Sequence, residues 1–266
     1  MQQMLFENKA ENPFSSQNHL NIECGFGLFK AIIFNPVSNQ IVWATAFESD
    51  GIKAALKEHE LNKQSFSEVH VNLVNSYSTL IPNNLFEEAQ VKQYLDFNFE
   101  TIDNTVSKFD SLKTLEAKNC YLLFEKEEKT VYKQFNNAVI GHQSTAFIEL
   151  NRKKESQIIV ELYPTHFQLM HVEENQFKMF NCFAYENVED LLYYITYALR
   201  QLKVEKSAKI EISGWVTSTS EIFKRLKEYL PNIRVYTATI EPLNWGCVDF
   251  TARHHFNQVV RQHNCG

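Results

Sequence analysis

The chain has 266 residues, 44% of them apolar and 13% aromatic, enough to build a substantial core in one large or two medium domains. A formal charge of -6 and the lack of a long Lys/Arg run exclude a dedicated nucleic-acid surface, which needs clustered cations. Cys24, Cys120, Cys182, Cys247 and Cys265 are odd in number and never spaced Cys-x-x-Cys, which argues against a disulfide framework or a structural zinc and for reduced core thiols.

Residues 1–17 form a polar leader, expected to fray, with no apolar segment of signal-peptide type. No later run reaches transmembrane length, so the expected location is the cytoplasm, without membrane insertion. His19 to Phe34 and Gln40 to Phe47 are apolar runs joined by Asn35-Pro-Val-Ser-Asn39, a hairpin signal. Lys53 to Leu61 reads as a short helix, and Glu68 to Val74 as a strand with Val69, Val71 and Leu73 on its buried face. Tyr77 to Ile81 is a strand closed by Pro82, followed by a helix from Leu85 to about Phe97. Cys120 to Phe124 is a strand, Lys126 to Asn136 a charged helix, and Val139-Ile140 leads into a helix through Phe147 and Leu150. Arg152, Lys153 and Lys154 beside Glu155 read as a solvated junction between halves 18–150 and 151–266.

The second half restarts with strands ending at Leu162, from Phe167 to Val172, and from Gln176 to Phe183. The last of these is apolar on both sides, with Phe177, Met179 and Phe183 against Phe180 and Cys182, and is expected to be an internal strand. Asn187 caps the next helix, with Glu189 and Asp190 in its first turn; its apolar residues spread over more than one stripe and predict burial against several neighbours. Core burial is likewise the first expectation for Tyr193, Tyr194 and Tyr197, an exposed face for a partner helix the second. Lys209 to Ser213 is a strand, Ser218-x-x-Glu221 a capping box for a helix stopped by Pro231, and Arg234 to Tyr236 a final strand before a helical tail.

Glu23 and Phe29 have the separation of Glu161 and Phe167, and Asn39-Gln40-Ile41 with Phe47 has that of Asn175-Gln176-Phe177 with Phe183. Two copies of a three-strand meander plus helix are therefore expected. Asn181-x-Phe183-x-Tyr185 followed by Glu189-Asp190-Leu191-Leu192-Tyr193-Tyr194-Ile195, with Thr79-Leu80-Ile81-Pro82-x-x-Leu85-Phe86 and Tyr94-Leu95-x-Phe97-Asn98, resembles a bacterial family found mainly in Bacteroidetes. That family is placed in the actin-like ATPase superfamily and carries no assigned activity. The resemblance covers most of the chain after His19. It implies an α/β, duplicated actin-like ATPase, or ribonuclease-H-like, fold with two mixed-sheet halves facing a cleft.

In active members of that superfamily an Asp-x-Gly-Thr/Ser turn in each half approaches phosphate, its Asp handling magnesium-bound water. The resemblance places Glu23-Cys24-Gly25-Phe26-Gly27 and Glu161-Leu162-Tyr163-Pro164-Thr165 at those turns. Phe26 stands where a small hydroxyl residue would serve, and Pro164 removes a backbone donor. On the adenosine side, Ser213-Gly214-Trp215 keeps one glycine followed by the largest side chain. The chain has only 7 glycines, against an average usage of roughly 7%, which leaves few positions for phosphate-cradling turns.

A working cleft would use Glu23, Gly25, Gly27 and Lys30 on the phosphate side and Gly214 on the base side. The preferred reading makes the glycines turn formers, Glu23 a solvated strand-end carboxylate and Lys30 a side chain snorkelling from an edge. His254, His255, His263 and Cys265 are too widely spaced for a shared helical metal face, and the odd spacing of His166 and His171 points them to opposite sides of a strand. Glu125, Glu127, Glu128 and Asp249 read as surface carboxylates, and no serine or cysteine lies in a nucleophile motif. The expectation is a non-catalytic actin-like module with a degenerate nucleotide cleft and no cofactor, binding an unidentified protein or itself. The alternative is a conformational switch that binds or weakly hydrolyses Mg-ATP.

Overall fold

The computed structural model describes residues 4–9, 13–49, 51–112, 115–151, 157–204, 208–236 and 244–260. The Arg152-Lys153-Lys154 cluster, His263 and Cys265 lie outside them. The chain divides into two compact units. The first comprises the described residues of Met1–Glu149, Ile240–Ala252 and Gln258–Gly266, the second those of Leu150–Thr239 and Arg253–Asn257. The tail expected with the second half is thus shared between the units.

The first unit is built on strands β1 (Met4–Lys9), β2 (His19–Gly25), β3 (Leu28–Asn35), β4 (Gln40–Glu48), β5 (Glu68–Leu73) and β9 (Ala138–His142). They form one mixed sheet in the order β1-β4-β3-β2-β5-β9. The β3–β4 turn follows the local chemistry: Asn35 Oδ1 accepts from the Val37 and Ser38 amides, and Asn39 takes the left-handed φ of 54° that closes it. Leu20, Ile22, Phe29, Trp43, Val69 and Val71 form the core with Ala55 and Leu56 of helix α1 (Ile52–Glu58) and Val131 of helix α3 (Glu125–Gln134). A second sheet of β6 (Ser78–Pro82), β8 (Ala117–Phe124) and β7 (Thr105–Leu112) is covered by helix α2 (Val91–Asn98), which buries Val91 and Leu95 against Cys120 and Leu122. Helix α4 (Gln143–Asn151) follows β9.

The second unit has strands β10 (Gln157–Leu162), β11 (His166–Glu173), β12 (Gln176–Ala184), β13 (Ile210–Gly214) and β14 (Ile233–Val235) in the order β12-β11-β10-β13-β14. Helix α5 (Val188–Gln201) starts in the expected place: Asn187 Oδ1 accepts from the Asp190 amide at 3.0 Å, and Asp190 returns the bond to the Asn187 amide. Its core stripe is Leu191, Ile195 and Ala198. Helix α6 (Glu221–Tyr229) is capped by Ser220, whose Oγ accepts from the Phe223 amide, rather than by Ser218. A short 3-10 segment, Phe250–Phe256, stands where the tail helix was expected.

The two meanders repeat each other. β4-β3-β2-β5-β9 and β12-β11-β10-β13-β14 share order and strand directions, antiparallel across the first three strands and parallel thereafter. Both carry a bulge in the third strand, at Val42 opposite Ile33/Phe34 and at Lys178 opposite His171/Val172. This agreement fits the expected duplication.

Several expectations need correction. Residues 4–9, expected to fray, pair antiparallel with β4 from Trp43 to Phe47, because Met4 and Phe6 meet a strand too far along the sequence to be foreseen. Strand β7 was missed because its apolar residues are interleaved with Thr, Ser, Lys and Asp. Among the described residues β12 is the edge of its sheet, not an internal strand. Helix α5 is buried on one stripe only, leaving Tyr193 61% and Tyr197 47% exposed, while Tyr194 stacks on Phe183.

Candidate functional site

The β2–β3 hairpin carries four of the five expected site residues: Glu23 and Gly25 on β2, Gly27 in the turn and Lys30 on β3. Gly25 has φ 143°, and a Cβ there would lie 2.2 Å from the Val74 carbonyl oxygen, so only glycine allows the end of β5 to close on the hairpin. Gly27 has φ 81° with open space around it, and its carbonyl accepts from the Ser49 amide. Between them Phe26, at φ 45°, sets its ring edge-on against Tyr77 at 5.9 Å and near Phe124 at 6.4 Å. Phe26, Tyr77 and Phe124 thus form an aromatic cluster at this turn.

Glu23 and Lys30 are cross-strand partners in the β2–β3 ladder. Their charged groups are 3.2 Å apart and both side chains are 0% exposed. Glu23 is therefore not a solvated strand-end carboxylate, and Lys30 does not snorkel: direct register opposition inside a covered sheet makes each the counter-charge of the other. Burial, with Glu127 and Glu23 nearby, holds the Cys24 thiol well above its ordinary pKa.

In the second unit Glu161 stands on β10 at the position Glu23 holds on β2 and is also fully buried. Its carboxylate accepts from Ser213 Oγ of the adjoining β13. Gly214 has φ 87°, and a Cβ there would meet the Leu162 carbonyl oxygen at 2.3 Å and Glu161 Oε1 at 2.8 Å. The Trp215 amide donates to Leu162 O at 2.7 Å. His255 Nδ1 contacts Gly214 O at 2.6 Å and His254 Nε2 contacts Val216 O at 2.5 Å. A carbonyl can only accept, so those ring nitrogens carry the protons. The β10–β11 turn is filled by Tyr163 and His166, whose rings stack at 4.6 Å.

Thus Glu23, Gly25, Gly27 and Lys30 share one hairpin of the first unit, whereas Gly214 belongs to the second. Glu125, Glu127 and Glu128 open α3; Lys129 pairs with Glu125 and Lys108 with Glu128, and burial raises the Glu127 carboxyl. A polar network absent from the sequence reading joins Asp110 of β7 to Tyr121 Oη at 2.9 Å and Thr145 Oγ1 at 2.6 Å, with Asn119 Nδ2 donating to Thr145. Asp110, Asn119 and Tyr121 come from the paired strands β7 and β8 and Thr145 from α4, and no spacing announces that they meet. Burial raises the Asp110 carboxyl against the pull of these donors. No three His, Cys, Asp or Glu side chains among the described residues are grouped to hold a metal, and no described helix is long and apolar enough to cross a membrane.

At this hairpin the Glu23 carboxylate is sealed against the Lys30 ammonium, and the residue between the two glycines is a phenylalanine. A family model described as "Protein of unknown function (DUF3822)" matches residues 7–233. Among solved structures, a Bacteroides thetaiotaomicron protein with actin-like ATPase fold and unknown function matches with a TM-score of 0.72 at 20% identity, covering 86% of this chain and 93% of that one. The PilM-PilN type IV pilus biogenesis complex matches with a TM-score of 0.63 at 9% identity over 93% of this chain and 98% of that one. The ethanolamine utilization protein EutJ of Carboxydothermus hydrogenoformans matches at 0.53 and 7% identity, over 96% and 92%. No curated protein matches at a significant level. The fold is that of the actin-like ATPases.

Proposed function

The chain belongs to the DUF3822 family, and from that premise we propose that it is a non-catalytic actin-like module that works by binding protein. The observation that carries this reading is the Glu23–Lys30 pair, sealed at 0% exposure at the first-half phosphate turn. A carboxylate that orders magnesium-bound water must reach solvent and metal; this one is spent inside the sheet. Phe26 supports the same reading, since between the two glycines it offers an aromatic ring packed on Tyr77 and no side-chain hydroxyl to donate to a phosphate. That one protein of this fold is seen in the PilM-PilN complex is consistent with the fold serving protein association.

The second reading, a Mg-ATP switch using Glu23, Gly25, Gly27, Lys30 and Gly214, is favoured only by the retained glycines. Thermal unfolding with millimolar Mg-ATP or Mg-ADP separates the two. Ligand at about a hundred times its Kd stabilises by roughly 2.7 kcal/mol, and no shift is expected. A rise of the midpoint with either nucleotide overturns the non-catalytic reading, and its loss in Gly27→Trp places the nucleotide at this turn.

A further inference from the structure

We infer that the outer edge of β12 is a self-association surface, on which β12 of a second copy of this chain pairs antiparallel. The inference deepens the protein-binding reading, on which it rests, by naming the partner. It starts from a contrast: β12 has the composition of a central strand, apolar on both faces, and yet among the described residues it is the edge of its sheet. The equivalent edge in the first unit carries a further strand. Aligned through the shared bulge, Trp43-Ala44-Thr45-Ala46-Phe47 of β4 corresponds to Met179-Phe180-Asn181-Cys182-Phe183 of β12, and over that stretch β4 is covered by β1. There Thr45 Oγ1 donates to the Phe6 carbonyl of the added strand. Its counterpart Asn181 is exposed and turns its Oδ1 back to the neighbouring Cys182 amide at 2.8 Å, supplying an edge donor with a substitute acceptor. Among the described residues no strand pairs with this edge of β12.

The stretch is self-complementary. A two-fold axis at Asn181 sets Met179 opposite Phe183 of the second copy, Phe180 opposite its Cys182, and the two Asn181 carboxamides, donor and acceptor in one group, against each other. No charge lies between Met179 and Phe183. Lys178, the usual kind of edge-blocking residue, sits in the bulge outside it with its Nζ on Gln176 and near Glu173. The bulge is no obstacle, because β1 pairs alongside the equivalent one in β4.

Sedimentation velocity on the full chain at micromolar concentrations is expected to show a dimer that dissociates on dilution. Asn181→Lys, an exposed substitution that sets two ammonium groups at the axis, is expected to give a monomer with unchanged circular dichroism and with the unfolding midpoint of the wild type diluted to its monomeric state. Asn181→Cys in a Cys182→Ser background is expected to form a covalent dimer under mild oxidation, because antiparallel partners on such an axis stand within disulfide reach. A monomeric wild-type protein, or a dimer that survives Asn181→Lys and whose Asn181→Cys variant does not cross-link, overturns the inference. A nucleotide-silent monomer removes self-pairing and leaves the protein-binding reading standing; a nucleotide-responsive dimer removes the non-catalytic reading and leaves the pairing.

Discussion

Replacing Lys30 with methionine keeps most of the side-chain volume and leaves the Glu23 carboxylate buried without its counter-charge. At 3.2 Å the pair attracts by roughly 5 kcal/mol at an effective dielectric constant of about 20, offset by the cost of taking both ions out of water. Removing one partner of such a pair costs about 3–5 kcal/mol, whereas replacing both with packed apolar groups is neutral or stabilising by about 1–4 kcal/mol. Lys30→Met alone is therefore expected to destabilise the first unit severely, and the Glu23→Leu/Lys30→Met double variant to recover most or all of the loss. Urea unfolding followed by tryptophan fluorescence reads this directly, since Trp43 is buried in the same sheet, on the strand next to Lys30. A single variant within about 0.5 kcal/mol of wild type, the range of an ordinary surface change, or a double variant no more stable than the single, would refute the argument that the two charges are sealed against each other.

Three further outcomes follow from the geometry. Asn187→Ala removes the side-chain acceptor of the α5 capping box and is expected to cost about 1 kcal/mol, read as a lower urea midpoint for the second unit. Gly214→Ala puts a Cβ 2.3 Å from Leu162 O in left-handed backbone; the strain alone is worth about 1–3 kcal/mol, and a wild-type midpoint would contradict the close β10–β13 approach. Burial lowers the His171 pKa below its ordinary 6.5, so the folded state binds its proton less readily than the unfolded chain. The His171 contribution is complete above pH 6.5, falls as pH drops through 6.5, and levels off below the folded-state pKa. Unfolding midpoints from pH 5 to pH 8 should be flatter for His171→Gln than for wild type, and equal slopes would count against it.

Much of the fold was legible because strands and helices leave local traces. Val69, Val71 and Leu73 alternate with His70 and Asn72, and the strand is there with that face buried. Asn187 with Asp190 announced the start of α5, and Asn35 with Asn39 the β3–β4 turn. The repeated spacing of Glu23/Phe29 and Glu161/Phe167 pointed to matching hairpins, and the registers put both glutamates at one position of the ladder. The candidate site was less legible. Glu23, Gly25, Gly27 and Lys30 could be picked out by type and spacing, but the burial of two of them could not.

What the amino-acid sequence by itself determined was the order of most elements, with β1 and β7 the exceptions, many of their boundaries, and the phenylalanine and proline in the first turn of each meander. Those depend on residues within a few positions of one another, through backbone sterics, capping and alternation. Only the tertiary structure decided which strands are edges, that Lys30 is aimed at Glu23, and that Asp110, Tyr121 and Thr145 meet. Period-two alternation records whether a residue is apolar, not which neighbour lies beyond it, and an edge is defined by a pairing partner that can come from anywhere in the chain. β4 and β12 make the point: both are third strands of the same meander with the same bulge, and residues 4–9 alone give the first a neighbour that the second lacks among the described residues.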